Sequence, residues 1–215
     1  MYIEFHNITK IIKGSVVLDD VSVRFESGKV YGLKGKNGSG KTMLMRAVCG
    51  FILTTTGTID INGEILGKDI TFPRSIGALI ENPAFIGNET GFQNLATLAS
   101  IQNKIDKQKI REAMENVGLN PDDAKKYRKY SLGMKQKLGI ACAVMEEPDI
   151  ILLDEPINAI DEKGVQQVQT IIQQAKKRGA LILVACHDRE ELEFLSDEIY
   201  EIESGKIMGH EVLNK

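Results

Sequence analysis

Alternating apolar and polar residues open the chain. Tyr2-Ile3-Glu4-Phe5 alternates, and Val16 to Phe25 alternates again, with Val21, Val23 and Phe25 set against Ser22 and Arg24. This pattern predicts a β-rich stretch over residues 2 to 33, turning at Glu26-Ser27-Gly28. Gly57-Thr58-Ile59-Asp60-Ile61 reads as another strand, and Asn62-Gly63 behind it is a hairpin signal. Ser75 to Ile80 is a short apolar strand ending at Glu81-Asn82-Pro83. From 90 to 128 the period becomes helical. Phe92, Leu95, Leu98 and Ala99 share one face, and Ile105, Ile110, Met114 and Val117 recur at similar spacing.

Ile150 to Leu153 is wholly apolar, the texture of a strand buried on both faces of a parallel sheet. A helix is predicted from about Glu162 to Arg178, with Val165, Val168, Ile171, Ile172 and Ala175 inward and Gly179 closing it. Leu181 to Ala185 is a second buried strand. Ile199 to Ile202 and Lys206 to Met208 form a final hairpin around Ser204-Gly205. Strand–helix alternation behind an antiparallel N-terminal layer makes an α/β fold with a mostly helical insertion.

The candidate chemistry begins between the strand-like run Val30 to Leu33 and the helix-like segment Met43 to Cys49. There lies Gly35-Lys36-Asn37-Gly38-Ser39-Gly40-Lys41-Thr42. Strand, glycine loop and helix are the setting a phosphate-binding loop requires. The glycines let successive N–H groups curl inward as an anion nest, and the helix adds its positive end. Lys41 is expected to reach the terminal phosphates and the Thr42 hydroxyl to ligate Mg²⁺.

Composition narrows the picture only a little. A chain of 215 residues with net charge −3 holds one sizeable α/β core and argues against non-specific nucleic-acid binding. No apolar run is long enough to span a bilayer, and Met1 to Phe5 is not a signal peptide. Cys49, Cys142 and Cys186 have no metal-like spacing and read as buried reduced thiols. The expected compartment is the cytoplasm, so any membrane span has to come from another chain.

Two short patterns imitate GTPase motifs, Asp60-Ile61-Asn62-Gly63 and Asn103-Lys104-Ile105-Asp106. The first lies in a predicted hairpin, and the second follows a helical stretch where a guanine-binding loop should leave a buried strand. Neither has its required setting. Ile150 to Leu153, in contrast, delivers Asp154 and Glu155 to a strand end, with Pro156 after them. In isolation such a run is equally a core strand with acidic end residues. Beside a phosphate loop, Asp154 can hold hydrated Mg²⁺ and Glu155 can orient or deprotonate the attacking water.

With these residues in view, nearly the whole chain resembles the ATP-binding subunits of ABC transporters. Asn158-Ala159-Ile160-Asp161 matches the family's D-loop, and His187 after its strand matches the switch histidine that senses the γ-phosphate. Tyr130-Ser131-Leu132-Gly133-Met134-Lys135-Gln136 aligns with the signature LSGGQ-x-Q, keeping Ser131 and Gly133 while Leu132 and Met134 depart. The Q-loop glutamine falls at Glu81, which can still face Mg²⁺ or its water. Glu81 together with this signature is similar to the bacitracin-export and lantibiotic-immunity branch. The adenine-stacking aromatic falls at Ile12 if Leu18 anchors the alignment.

The resemblance implies a single ABC ATPase domain over 1–215, a RecA-like P-loop NTPase core with an antiparallel β subdomain. The core is expected over about 1–81 and 136–215, with the helical subdomain over about 82–135. It implies ATP and Mg²⁺ as cofactors and a second ATPase subunit, so that Ser131, Gly133 and Asp161 serve a site shared between two chains. It also implies a separately encoded membrane permease, which would hold this subunit on the inner face of the membrane and export a peptide or antibiotic. Two other readings stay open on sequence: a soluble ABC ATPase acting on nucleic acid or ribosomes, and a low-turnover ATP-dependent regulatory subunit.

Overall fold

A computed structural model describes residues 1–214; Lys215, the end of the expected domain, lies outside the described residues. The period-two segment forms β1 (Tyr2–Ile12) and β2 (Ser15–Glu26), antiparallel partners from Tyr2 opposite Glu26 to Ile12 opposite Ser15. β4 (Thr56–Ile61) pairs with the other edge of β1, and β5 (Glu64–Ile65) follows through the Asn62-Gly63 turn. Both turn residues have positive φ, 55° and 85°, as a type I′ hairpin turn demands. The resulting four-stranded sheet runs β2-β1-β4-β5.

The second sheet has six strands in the order β10-β9-β3-β8-β7-β6. Its members are β3 (Val30–Lys34), β6 (Ile76–Leu79), β7 (Ile150–Asp154), β8 (Leu181–Cys186), β9 (Glu198–Glu203) and β10 (Lys206–Val212). β9, β3, β8, β7 and β6 are parallel, and β10 alone is antiparallel. The apolar runs are explained by burial on both faces. Ile150, Leu152, Leu181 and Leu183 enter one core, with Phe5, Leu18, Phe25 and α1 (Lys41–Val48). Ile151, Leu153, Ile182 and Val184 enter the other, with the helices of the opposite face.

Those helices include α2 (Gly91–Gln102), α3 (Lys107–Asn116), α4 (Leu132–Val144) and α5 (Glu162–Lys177); α6 (Arg189–Leu195) follows β8. Thr90 caps α2 through a reciprocal capping box with Gln93, and Asp106 caps α3 by accepting the Lys109 N–H at 2.9 Å. The GTPase-like patterns are thus absorbed by local structure. Asp60 and Gly63 close a hairpin turn, while Asn103 ends α2 and Asp106 begins α3. In α2, Leu95 and Ala99 are almost completely buried, whereas Leu98, placed inward by periodicity, is 37% exposed.

α4 is one continuous helix through residue 135, where the sequence reading divides core from helical subdomain. It packs on β6 and on α3, and Gly139 permits its close approach. A Cβ at Gly139 would stand 2.7 Å from Leu79 Cδ1 and 3.0 Å from Pro83 Cβ. The helix therefore lies directly against the segment that carries Glu81. The three cysteines are free; Cys49 and Cys186 are buried as expected, but Cys142 is only partly buried. Burial pushes the Cys49 thiol up to about 12 and the Cys142 thiol up to about 11.

Candidate active site

In a parallel sheet, ligands bind beyond the carboxyl ends of the strands. Here β3 leads into the glycine loop, β6 into Glu81, β7 into Asp154-Glu155 and β8 into His187. Because these four strands are neighbours in the order β3-β8-β7-β6, their ends meet along one edge. A cavity of about 660 Å³ opens there, lined by Asn37 to Met43, Glu81, Asn82, Asp154 and Glu155, with Val17, Leu132, Gln136 and Asn158 around them.

The loop geometry suits an anion. Gly38 and Gly40 take φ of 81° and 114°, and Gly40 begins α1 without a side-chain cap. The first N–H groups of α1 thus have no side chain competing for them and sit at the positive end of the helix. Gly40 also fits where a Cβ would stand 3.0 Å from the Val17 carbonyl oxygen. Lys41 is buried, and its Nζ donates to the Gly35 and Lys36 carbonyls at 2.6 and 3.2 Å. Gly35 and Lys36 thus anchor the lysine from outside the cavity lining. Among the described residues the buried Ser39 hydroxyl has no hydrogen-bond partner.

Across the loop, the Thr42 hydroxyl donates to Asp154 Oδ2 at 2.8 Å. Burial raises the Asp154 carboxyl above its ordinary range, against the Thr42 hydrogen bond, which lowers it. A buried carboxylate beside a hydroxyl is a hard oxygen pair whose charge a divalent cation would balance, so the residues fit Mg²⁺. Glu155 lies next to it with φ of 49°, an uncommon conformation for a residue with a side chain. Its N–H donates to the Ala185 carbonyl at 2.8 Å, and its own carbonyl accepts from Gln136 Nε2 at 2.8 Å. His187 Nδ1 stands 3.1 Å from each Glu155 carboxylate oxygen, and that hydrogen bond is the main reason its pKa is raised.

The sequence profile of ABC transporters matches residues 18–158. The chain belongs to the ABC transporter ATPase family. It is 49% identical to the ABC transporter ATP-binding protein YybJ of Bacillus subtilis, over 95% of this chain and 94% of that one. It is 36% identical to the bacitracin transport ATP-binding protein BcrA of Enterococcus faecalis, over 96% of this chain and 68% of that one. The lantibiotic transport ATP-binding protein SrtF of Streptococcus pyogenes is 33% identical, with 96% and 89% covered. The dimeric bacterial ABC transporter cassette MJ0796 shares the fold, with a TM-score of 0.90 and 22% identity over 99% of both chains. Among the described residues no helix is long and apolar enough to cross a membrane.

The remaining ABC motifs form a second concave surface, lined by Ser131, Gly133, Lys137, Ala159 and Asp161 among others. Ser131 caps α4, its Oγ accepting the Met134 N–H at 3.2 Å while the hydroxyl keeps a proton to donate. Gly133 packs on the D-loop so tightly that a Cβ would stand 2.5 Å from the Ala159 carbonyl oxygen. Lys137 Nζ donates to Asp161 Oδ1 at 2.9 Å, which draws the Asp161 carboxyl below its ordinary range. Within one chain, therefore, Ser131, Gly133 and Asp161 do not line the nucleotide cavity, although Leu132 and Asn158 do.

Two further residues have surroundings that the sequence does not show. Ile12, assigned to the adenine, ends β1 outside the cavity lining; Val17 of β2 forms that wall. Glu81 lines the cavity as expected, but it is held by Arg46, whose Nη2 donates to Glu81 Oε1 at 2.9 Å. Gln136 was already inside the signature pattern without a role, and its buried amide ties α4 to the Glu155 backbone.

Proposed function

We propose that this ATPase powers a membrane transporter whose permease is a separate chain, and that it exports a peptide or antibiotic while working as a dimer. The observation that carries the reading is the edge where Thr42 meets Asp154 at 2.8 Å and Glu155 meets His187 at 3.1 Å, with Thr42, Asp154 and Glu155 lining the phosphate loop's cavity and His187 behind Glu155, outside that lining. The export substrate rests on the similarity to BcrA and SrtF, whose names assign them bacitracin and lantibiotic transport. The subunit would sit in the cytoplasm, on the inner face of the membrane through its permease. The region over about 82–135 would be the helical subdomain that receives the permease, with the core over about 1–81 and 136–215.

In this scheme the N–H groups of Gly38 to Thr42 and the Lys41 ammonium hold the phosphates, with Gly35, Lys36, Asn37 and Ser39 shaping the loop. Thr42 and Asp154 would hold Mg²⁺, with Glu81 facing its water. Bound Mg²⁺ supplies charge neutralisation at the transferring phosphoryl group. Glu155 takes the proton from the attacking water, and His187 keeps the carboxylate aimed and senses the γ-phosphate. Ser131, Gly133 and Asp161 serve the partner's site, so ATP contacts close the dimer and hydrolysis reopens it.

The reading is tested by affinity copurification from native membranes, with ATPase activity measured on the captured complex. A membrane permease and ATP hydrolysis are expected. A ribosome-sized or nucleic-acid partner, or a complex that binds ATP without turnover, would displace it.

A further inference from the structure

Three carboxylates stand on the rim of a cavity suited to phosphates, and each has a different partner. Asp154 accepts from the Thr42 hydroxyl, Glu155 from the His187 imidazole, and Glu81 from the Arg46 guanidinium. Arg46 lies in the last turn of α1, four residues beyond Thr42 and so on the same side of the helix. Glu81 follows β6 with φ of 60°, and its carboxylate reaches Arg46 of α1 at 2.9 Å. The pair is partly exposed, 34% for Arg46 and 56% for Glu81, so it adds little to folding stability. Its consequence is where a negative charge sits relative to the cavity.

We infer that Arg46 is a positioning residue for Glu81. It draws the carboxylate toward α1 and cancels its charge, so that the chain carries an acid on the cavity rim without weakening its hold on a polyphosphate. Lys41 is not the partner of Glu81: its ammonium donates to the Gly35 and Lys36 carbonyls, and its remaining N–H is left for the phosphates. The inference rests on the cavity being the MgATP site.

A double-mutant cycle tests it, using binding of a non-hydrolysable ATP analogue with Mg²⁺ to wild type, Arg46→Met, Glu81→Gln and the double variant. An unpaired carboxylate on the rim repels the phosphates through partly aqueous surroundings, so Arg46→Met is expected to weaken binding about fivefold at low salt. In the Glu81→Gln background the same change is expected to cost less than about twofold, since the side chain that Arg46 no longer holds away from the phosphates then carries no charge. The fivefold loss should shrink in about 0.5 M salt, and Arg46→Lys should stay within about twofold of wild type. Equal losses in both backgrounds, or wild-type binding by Arg46→Met, would overturn the inference. Wild type that binds no nucleotide would instead overturn the functional reading beneath it.

Discussion

His187 donates its Nδ1 proton to the Glu155 carboxylate across 3.1 Å, with both oxygens equally near. The direction follows from chemistry, because an ionised carboxylate has no proton to give. That bond fixes the imidazole tautomer and aims the carboxylate that would receive a proton from water. The Glu155 hydrogen bond and charge raise the His187 pKa, and the charges of Glu191 and Asp188 raise it further, against a smaller opposing effect of burial.

The pH dependence follows in sign. His187 holds its proton more tightly in the folded chain than in the unfolded one, where its value is ordinary, about 6.5. Its contribution to stability is therefore complete below about pH 6.5 and is lost as pH rises through the higher folded pKa. Between pH 5.5 and 9, the melting-temperature advantage of wild type over Glu155→Gln should decline as pH rises, apart from a constant offset. An NMR titration should find the His187 pKa lowered in Glu155→Gln; an unchanged value would mean that the pair is not what holds the proton.

Glu155→Gln should also separate binding from hydrolysis. The amide keeps the shape but cannot take a proton, so ATP should still bind while turnover falls roughly a hundredfold or more. Removing the charge relieves repulsion across a closed dimer, so ATP should trap a dimer visible by size-exclusion chromatography. Hydrolysis at the wild-type rate would remove Glu155 from the role of base.

Local patterns were legible because their spacing along the chain is their geometry. The glycine loop, Asp154-Glu155 and the Asn62-Gly63 turn each act within a few residues, and the two-sided burial of β7 and β8 is written in uninterrupted apolar runs. Contacts between distant segments were not legible. Arg46 and Glu81 meet only because β6 adds next to β7 in the parallel sheet, and Gln136 reaches Glu155 only through the path of α4. Val17 escaped for a different reason. Lys10 pairs with Leu18 but Ile11 pairs with Val16, so the register shift leaves Val17 over as a bulge residue. A bulge re-aims a side chain without changing the composition of the strand.

Gly133→Ala probes the contact between signature and D-loop. The added methyl would lie 2.5 Å from the Ala159 carbonyl oxygen, and Ala159 is itself in a left-handed conformation with φ of 60°. Backbone must move, so overpacking should destabilise the chain by about 1–3 kcal/mol, read by urea unfolding. A loss below about 0.5 kcal/mol would mean that the D-loop yields freely, and that Gly133 is not what sets its position.

Mixing experiments address the shared site. Ser131 lies on the second concavity and Lys41 in the first, so in the proposed dimer each mutation would disable a different half of a composite site. Ser131→Ala and Lys41→Ala chains should each lose most ATPase activity alone. A mixed dimer retains one site with an intact Lys41 and an intact Ser131, so activity should partly return on mixing. No recovery, with mixed dimers demonstrated by tagged copurification, would count against a site built from two chains.

The base contact gives the last test. In the sequence alignment Ile12 stood over the adenine, yet it ends β1 outside the cavity, whereas Val17 lines it beside Gly40. Val17 is half-buried and lines the cavity, so it offers apolar surface there. Removing two methyl groups from such a wall forfeits about 1 kcal/mol of apolar contact with a bound base, or roughly fivefold in dissociation constant. Val17→Ala should thus weaken ATP binding about two- to fivefold while leaving the fold intact by circular dichroism. Ile12→Ala should change it by less than about twofold, because the side chain it removes is not on the wall. Both are read by titration without turnover, and the comparison decides between the two residues. A larger loss for Ile12→Ala than for Val17→Ala would put the base at the tip of the β1–β2 hairpin, where the alignment has it, and leave the bulge at Val17 with only a part in shaping the phosphate loop.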